Sequence, residues 1–291
     1  MYVYINGRII EKEKAAISPF DHGFLYGLGV FETFRTYEGH PFLLDDHVER
    51  LNAGLKELKI EKEFSRQEVL EIINRLSEKN GWENSYIRFN VSAGNGEIGL
   101  QTESYLNPSI IVFQKPLSVP GPIGEKEGVI LKLKRNTPET ADRLKSHHYL
   151  NNIAAKREIG MDPNKEGIFL TEDGYIAEGI VSNLFWVKKG QLFTPAVGTG
   201  ILNGITRQFI ISLCSKLNIP VKEGYFTLNE LLDAEEAFFT NSIQEIVKVK
   251  RIGNKDFLEE NGLIKRLFKE YRKGTGRLWS RRELEIALND R

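Results

Sequence analysis

The stretch Arg143-Leu-Lys-Ser-His-His-Tyr-Leu-Asn-Asn152 sets one lysine between a turn-rich segment and a helical one, and its reading decides the fold. Downstream lies Ala177-Glu-Gly-Ile-Val-Ser-Asn-Leu-Phe185, which carries one carboxylate at the end of a strand-like run. A lysine amine can hold an aldehyde as a Schiff base. A carboxylate can keep a pyridine nitrogen protonated, which makes the ring an electron sink. Lys145 and Glu178 therefore point to pyridoxal phosphate chemistry and leave the substrate open. Each alone has a plainer reading: a lysine is by default a solvated charge, and Glu178 an edge-strand residue facing water. The setting of Lys145 beside Ser146, His147 and His148 strengthens the chemical reading without displacing the plain one, because a lysine near cations or out of water becomes a usable nucleophile and base.

Working outward, Asn6-Gly7 between Val3-Tyr-Ile5 and Arg8-Ile-Ile10 signals a hairpin. Gly29 to Tyr37 alternates as a strand and reverses at Glu38-Gly39. Asp45 to Leu58 reads as a helix, with Val48, Leu51, Leu55 and Leu58 on one face. A second helix opens on the capping box Ser65-Arg-Gln-Glu68 and stops near Asn80-Gly81. Strands are expected at Tyr86 to Ser92, Ser109 to Gln114 and Gly128 to Lys134, and helices at Tyr149 to Ile159 and Ile205 to Leu217. Hairpins turn at Glu172-Asp-Gly174 and Lys189-Gly190. Three prolines and two glycines within Lys115 to Gly124 mark a linker. The expected domains are 1–115, a linker over 116–124, 125–275, and a charged tail over 276–291 that frays or forms a surface helix. Mixed strands and helices in two units indicate an α+β, or mixed α/β, protein.

The chain has 291 residues, 40 basic and 40 acidic, so it lacks the basic excess of a general nucleic-acid or membrane-surface binder. No apolar run approaches the ~18 residues of a membrane span. The N-terminus reads as strand and turn, not as a signal peptide. The single cysteine, Cys214, reads as a buried helix residue; it permits no intrachain disulfide and fits a cytoplasmic setting. His147-His148 has poor metal spacing, so no metal is expected. Gly198-Thr-Gly-Ile-Leu-Asn-Gly-Ile-Thr-Arg207 is a glycine-rich turn opening a helix, where backbone N–H groups suit a phosphate. It matches neither a P-loop nor a dinucleotide fingerprint. Arg50, one turn after His47, is by default a solvated helix charge.

In order along the chain, Phe20-Asp-His-Gly-Phe-Leu-Tyr-Gly-Leu-Gly-Val-Phe-Glu-Thr-Phe-Arg35, His47-Val-Glu-Arg-Leu51, the Lys145 segment, Ala177 to Asn183 and Gly200 to Arg207 resemble the fold-type IV pyridoxal phosphate enzymes, the class IV aminotransferases. The likeness runs from Tyr4 to about Val249. It implies the two-domain fold of D-amino-acid aminotransferase, with the cofactor between the domains, and a homodimer whose partner loop closes the pocket. It makes Lys145 the Schiff-base lysine and Glu178 the partner of the ring nitrogen. Arg50, Ile205, Thr206 and either Thr240 or Asn241 fall at phosphate positions, with Ser182 and Asn183 beside them.

Within the family, Arg135-Asn-Thr-Pro138, Gly167-Ile-Phe-Leu-Thr-Glu-Asp-Gly174 and the Lys145 segment look like the lyase branch of Gram-positive bacteria. That branch converts 4-amino-4-deoxychorismate to 4-aminobenzoate and pyruvate, toward folate. Phe31 stands where D-amino-acid enzymes usually carry Tyr, and Ser92-Ala-Gly-Asn-Gly-Glu97 has no match to their carboxylate-binding Arg and His. The substrate carries two carboxylates, for which Arg88, Arg135 and His148 are candidates, and Thr33 is a candidate to protonate the leaving group. The alternative is a branched-chain or D-amino-acid transaminase using 2-oxoglutarate with the same Lys145 and Glu178. A non-catalytic binder is the reading from another class, and retention of both residues weighs against it.

Overall fold

The computed structural model describes residues 1–257 and 262–286, the last two by their backbone alone. The chain divides into two compact units. The first comprises Met1–Pro120, Leu144–His148 and Thr275–Ser280; the second comprises Gly121–Arg143, Tyr149–Gly274 and the C-terminal segment from Arg281.

The first unit contains β1 (Tyr2–Ile5), β2 (Arg8–Glu11), α1 (His22–Tyr26), β3 (Gly29–Tyr37), β4 (His40–Pro41), α2 (Leu44–Glu57), α3 (Arg66–Asn80), β5 (Ser85–Ser92) and β6 (Ser109–Pro116). Among the described residues its six strands form one sheet in the order β2-β1-β6-β5-β3-β4. The first hairpin closes in two residues, with Ile5 opposite Arg8 and both Asn6 and Gly7 at positive φ, the backbone of a type I′ turn. Strand alternation sends Val30, Glu32 and Phe34 of β3 to one face and Phe31, Thr33 and Arg35 to the other. Val30 and Phe34 join Leu51 and Leu55 of α2 and Ile73 and Leu76 of α3 in one apolar core. The Ser65 hydroxyl caps α3 by accepting from the Glu68 N–H at 3.1 Å. Among the described residues the other half of the expected capping box does not form, and the Glu68 carboxylate pairs with the Lys62 ammonium at 2.7 Å.

The second unit contains β7 (Gly124–Ile130), α4 (Leu150–Ile159), β8 (Lys165–Leu170), β9 (Ile176–Gly179), β10 (Asn183–Lys188), β11 (Gln191–Pro195), α5 (Ile205–Lys216), β12 (Val221–Gly224), α6 (Leu228–Leu232), β13 (Glu236–Asn241), β14 (Glu245–Ile252), β15 (Lys255–Asp256), α7 (Leu263–Arg272) and α8 (Glu283–Ile286). Its strands order as β12-β11-β10-β13-β14-β7-β8-β9, with β15 on β14. Trp186, Phe226, Phe239 and Val249 lie in its core. The strand expected at Gly128 to Lys134 is displaced to Gly124–Ile130. The N–H groups of Lys132 and Leu133 leave the ladder and donate to the Glu158 carboxylate at 2.7 and 3.2 Å.

Two expectations about the chain's division are corrected. Leu144–His148, expected in the second domain, belongs to the first unit. The Phe31 N–H donates to the Lys145 carbonyl at 2.9 Å and the His147 N–H to the Gly29 carbonyl at 3.0 Å, which stitches this segment to β3. The expected tail begins inside the first unit: Leu278 is buried, and the carbonyls of Leu278 and Trp279 accept from the N–H groups of Leu43 and Asp45. Residues 287–291 of that tail lie outside the described residues. Among the described residues no helix is long and apolar enough to cross a membrane.

Candidate active site

In the first unit, β3 and β5 pair so that Thr33 faces Arg88 and Phe31 faces Asn90. Directly paired residues present their side chains on the same face, so these four share one surface. Lys145 joins it, with Nζ 4.6 Å from the centroid of the Phe31 ring. Arg88 approaches the same ring at 3.7 Å and donates from Nε to Asn90 Oδ1 at 3.0 Å. His147 stacks on Phe31 at 6.1 Å with 26° between the rings. Gly29 permits this close approach, because a Cβ there would lie 2.7 Å from the His147 ring. Burial, aided by Arg88, pushes the His147 imidazole down to about 4. Lys145, Arg88 and His147 thus all pack against the Phe31 ring. His148 takes another direction and reaches the Tyr26 carbonyl with Nε2 at 3.2 Å.

On the opposite face of β3, Glu32 is buried and accepts from His47 Nδ1 at 2.6 Å and from Arg50 Nε and Nη2 at 2.7 Å each. Burial raises the Glu32 carboxyl, but Arg50 and His47 outweigh it and hold it down to about 2. Arg50 is thus an oriented side chain on a fixed pedestal, unlike the solvated helix charge of the plain sequence reading. Glu32 and His47 were missed as members of this cluster. The available signal was a glutamate in the apolar phase of a strand, which needs buried partners, and His47 and Arg50 three apart on the facing helix.

In the second unit, Glu178 is the penultimate residue of β9 and is 4% exposed, not the water-facing residue of the plain reading. Its Oε1 accepts from Arg135 Nε at 2.9 Å, with Arg135 Nη2 also at 2.9 Å and Arg143 Nε at 4.0 Å. Its Oε2 accepts from the Leu202 N–H at 3.0 Å and from Asn183 Nδ2 at 3.3 Å. Burial pushes the Glu178 carboxyl up, against the pull of both arginines. Burial and Arg135 push Arg143 down to about 10.

Around this carboxylate, α5 opens on Gly204 without a side-chain cap, so its first N–H groups face outward from Ile205 and Thr206. The Thr206 hydroxyl lies 3.3 Å from that of Ser242. Thr240 stands opposite Asn183 in the β10–β13 ladder, and among the described residues its buried hydroxyl oxygen has no hydrogen-bond partner. Two neighbours are committed elsewhere: Ser182 donates to Glu166 at 2.8 Å, and Asn241 Oδ1 closes its own turn by accepting from the Ile243 and Gln244 N–H groups.

The pattern of the amino-transferase class IV family matches residues 29–252. The chain is 50% identical over 265 residues to the aminodeoxychorismate lyase of Bacillus subtilis, covering 89% of each protein. It is 31% identical over 255 residues to the D-alanine aminotransferase of Bacillus licheniformis, covering 87% of this chain and 88% of the relative. The branched-chain aminotransferase of the thermophilic archaeon Thermoproteus uzoniensis, solved with norvaline, superposes with a TM-score of 0.84 at 29% identity, over 96% of this chain and 97% of that one. With its mixed α/β architecture and this match over most of its length, the chain belongs to the class IV aminotransferase family.

Proposed function

We propose that this chain is an aminodeoxychorismate lyase that uses pyridoxal phosphate and releases 4-aminobenzoate and pyruvate, a step toward folate. The half-identity with the Bacillus lyase carries this reading. The second unit offers features that suit the cofactor. The buried Thr240 oxygen wants a polar partner. The uncapped start of α5 suits a phosphate. Glu178 is a buried carboxylate ringed by donors.

In this reading Lys145 anchors the cofactor covalently and Glu178 holds its ring nitrogen. Arg50, Ile205, Thr206 and Thr240 receive the phosphate, and Ser182, Asn183 and Asn241 border the ring and phosphate. When bound, the cofactor supplies a conjugated ring able to accept an electron pair from substrate C4. Once the 4-amino group of the substrate had displaced it from the cofactor, the freed Lys145 amine would remove the C4 proton as general base. Arg88 pairs with a substrate carboxylate against Phe31, and the Thr33 hydroxyl protonates the departing enolpyruvyl oxygen. Loss of that group makes the substrate ring aromatic and the elimination downhill, so the protein has mainly to position groups and manage one proton. The enzyme would act as a cytoplasmic homodimer.

A paired turnover assay on cofactor-loaded protein tests the reading. One arm supplies aminodeoxychorismate alone; the other supplies D-alanine or L-leucine with 2-oxoglutarate. Equimolar 4-aminobenzoate and pyruvate without an amino acceptor is the expected result. Glutamate formation with no aromatic product would replace the lyase with a transaminase.

A further inference from the structure

Arg135 stands among the sequence candidates for a substrate carboxylate, but its surroundings assign it another task. It is 9% exposed. Nε and Nη2 converge on one oxygen of Glu178, and Nη1 donates to Asn151 Oδ1 at 2.7 Å, Asn136 Oδ1 at 3.3 Å and Asn152 Oδ1 at 3.4 Å. The guanidinium carbon lies 5.1 Å from the centroid of the Phe169 ring. A side chain with its fork committed and its face covered is held for its charge and position. Arg143 adds a second cation at 4.0 Å, itself fixed by donating to the carbonyls of Gly200 and Asn136.

Among the described residues, every hydrogen-bond partner of Glu178 is a donor: Arg135, the Leu202 N–H and Asn183. Asn183 Nδ2 also donates to the Leu202 carbonyl at 2.8 Å, which fixes which end of that amide faces the carboxylate. A ring of donors accommodates a carboxylate and opposes a carboxylic acid, whose O–H would point at another donor. Burial acts the other way and favours the neutral acid.

We propose that Arg135 is a positioning residue for the reaction: its guanidinium fixes the Glu178 carboxylate and biases the proton shared with the cofactor's ring nitrogen onto that nitrogen. This rests on the reading that Glu178 meets the ring nitrogen. A proton between a buried carboxylate and a pyridine nitrogen has two resting places. A cation bonded to the carboxylate stabilises the ionised carboxylate with a protonated ring and disfavours the neutral pair. Arg135 thereby sets the strength of the electron sink without touching substrate. Arg143 pushes the same way from farther off.

The test reads the ring nitrogen directly, by 15N NMR of protein loaded with 15N-labelled pyridoxal phosphate, across pH. The chains compared are wild type, Arg135→Gln, Arg135→Lys, Arg143→Gln and Glu178→Gln. Wild type is expected to hold the nitrogen protonated. Arg135→Gln should lower the nitrogen's midpoint by about one pH unit or more, a tenfold change in the protonation equilibrium. Arg135→Lys should recover part of it, and Arg143→Gln should move it less in the same direction. If Arg135→Gln fails to fold, the shifts in the lysine and Arg143 variants decide. A purely structural ion pair would change stability and cofactor affinity but leave the nitrogen's midpoint in place, and that result overturns the proposal. An unchanged nitrogen in Glu178→Gln instead overturns the underlying reading of Glu178.

Discussion

The Arg88 guanidinium lies 3.7 Å from the centroid of the Phe31 ring and directly across the β3–β5 ladder from Thr33. Among the described residues Asn90 is its one hydrogen-bond partner, so most of its donors remain for a ligand. A hydrogen bond to a charged group contributes about 1.5–3 kcal/mol, or roughly tenfold to a hundredfold in an equilibrium constant. Arg88→Gln should therefore raise KM for aminodeoxychorismate by about that range, with the cofactor's absorption band intact. Arg88→Lys should recover part of the loss through charge alone. An unchanged KM in the glutamine variant would remove Arg88 from the substrate site.

The Glu32 cluster makes an acid-stability prediction. Its carboxyl lies at about 2 in the fold against 4.5 when unperturbed, so the unfolded state binds the proton first. The stability it contributes is complete above pH 4.5 and drains away as pH falls toward 2. Burial also lowers His47, so the unfolded chain protonates that ring first, below its usual 6.5, and stability begins to fall there. Glu32→Gln should cost about 3–5 kcal/mol at neutral pH, the loss for breaking a buried ion pair. It should also flatten the slope between pH 4.5 and 2. Urea titrations at several pH values measure both, and a variant that keeps the wild-type slope would show that Glu32 is not the group responsible.

The sequence displayed some of this better than the rest. Local signals were strong where one short motif governs the backbone. Gly29 to Tyr37 forms β3 with those bounds, because alternation over nine residues leaves no competing period. The Asn6-Gly7 hairpin turns where its positive-φ residues stand. Less was legible where long-range partners decide. β7 is set by parallel pairing with β14 and β8, partners remote in sequence. The packing of Leu278 depends on backbone contacts with the start of α2, which composition does not reveal. Among the candidate functional residues, the Lys145 segment and Glu178 stood out through motif likeness. The commitment of Arg135 to Glu178 spans 43 positions and has no local signature.

His147 should remain neutral throughout the working range of the enzyme. Its ring is pushed down to about 4 by burial and by Arg88, with Asp21 opposing. The unfolded chain accepts a proton near 6.5, so His147 removes stability as pH falls from 6.5 toward 4, and adds nothing further below that. The histidine Cε1–H resonance, assigned by comparison with His147→Gln, should titrate with a midpoint near 4. In Arg88→Gln the midpoint should rise, because a nearby positive charge has gone. A wild-type midpoint near 6.5 would mean that the ring is hydrated, and its stacking on Phe31 would then not exclude water.

Gly204 offers a steric test of the Glu178 surround. A Cβ at this position would fall 2.1 Å from Asn183 Oδ1. Asn183 cannot swing away cheaply, since it is buried and its Nδ2 bonds both the Leu202 carbonyl and Glu178. Gly204→Ala should therefore cost about 1–3 kcal/mol, the usual range for overpacking. It should also weaken cofactor binding, because the start of α5 and the Asn183 support shift together. Asn183→Ala removes the clashing amide, so the double variant should bind cofactor nearly as well as Asn183→Ala alone. Residues in contact show such coupling, whereas independent sites add. Cofactor dissociation constants from quenching of intrinsic fluorescence complete the cycle, and strictly additive losses would mean that Gly204 acts through α5 without displacing Asn183.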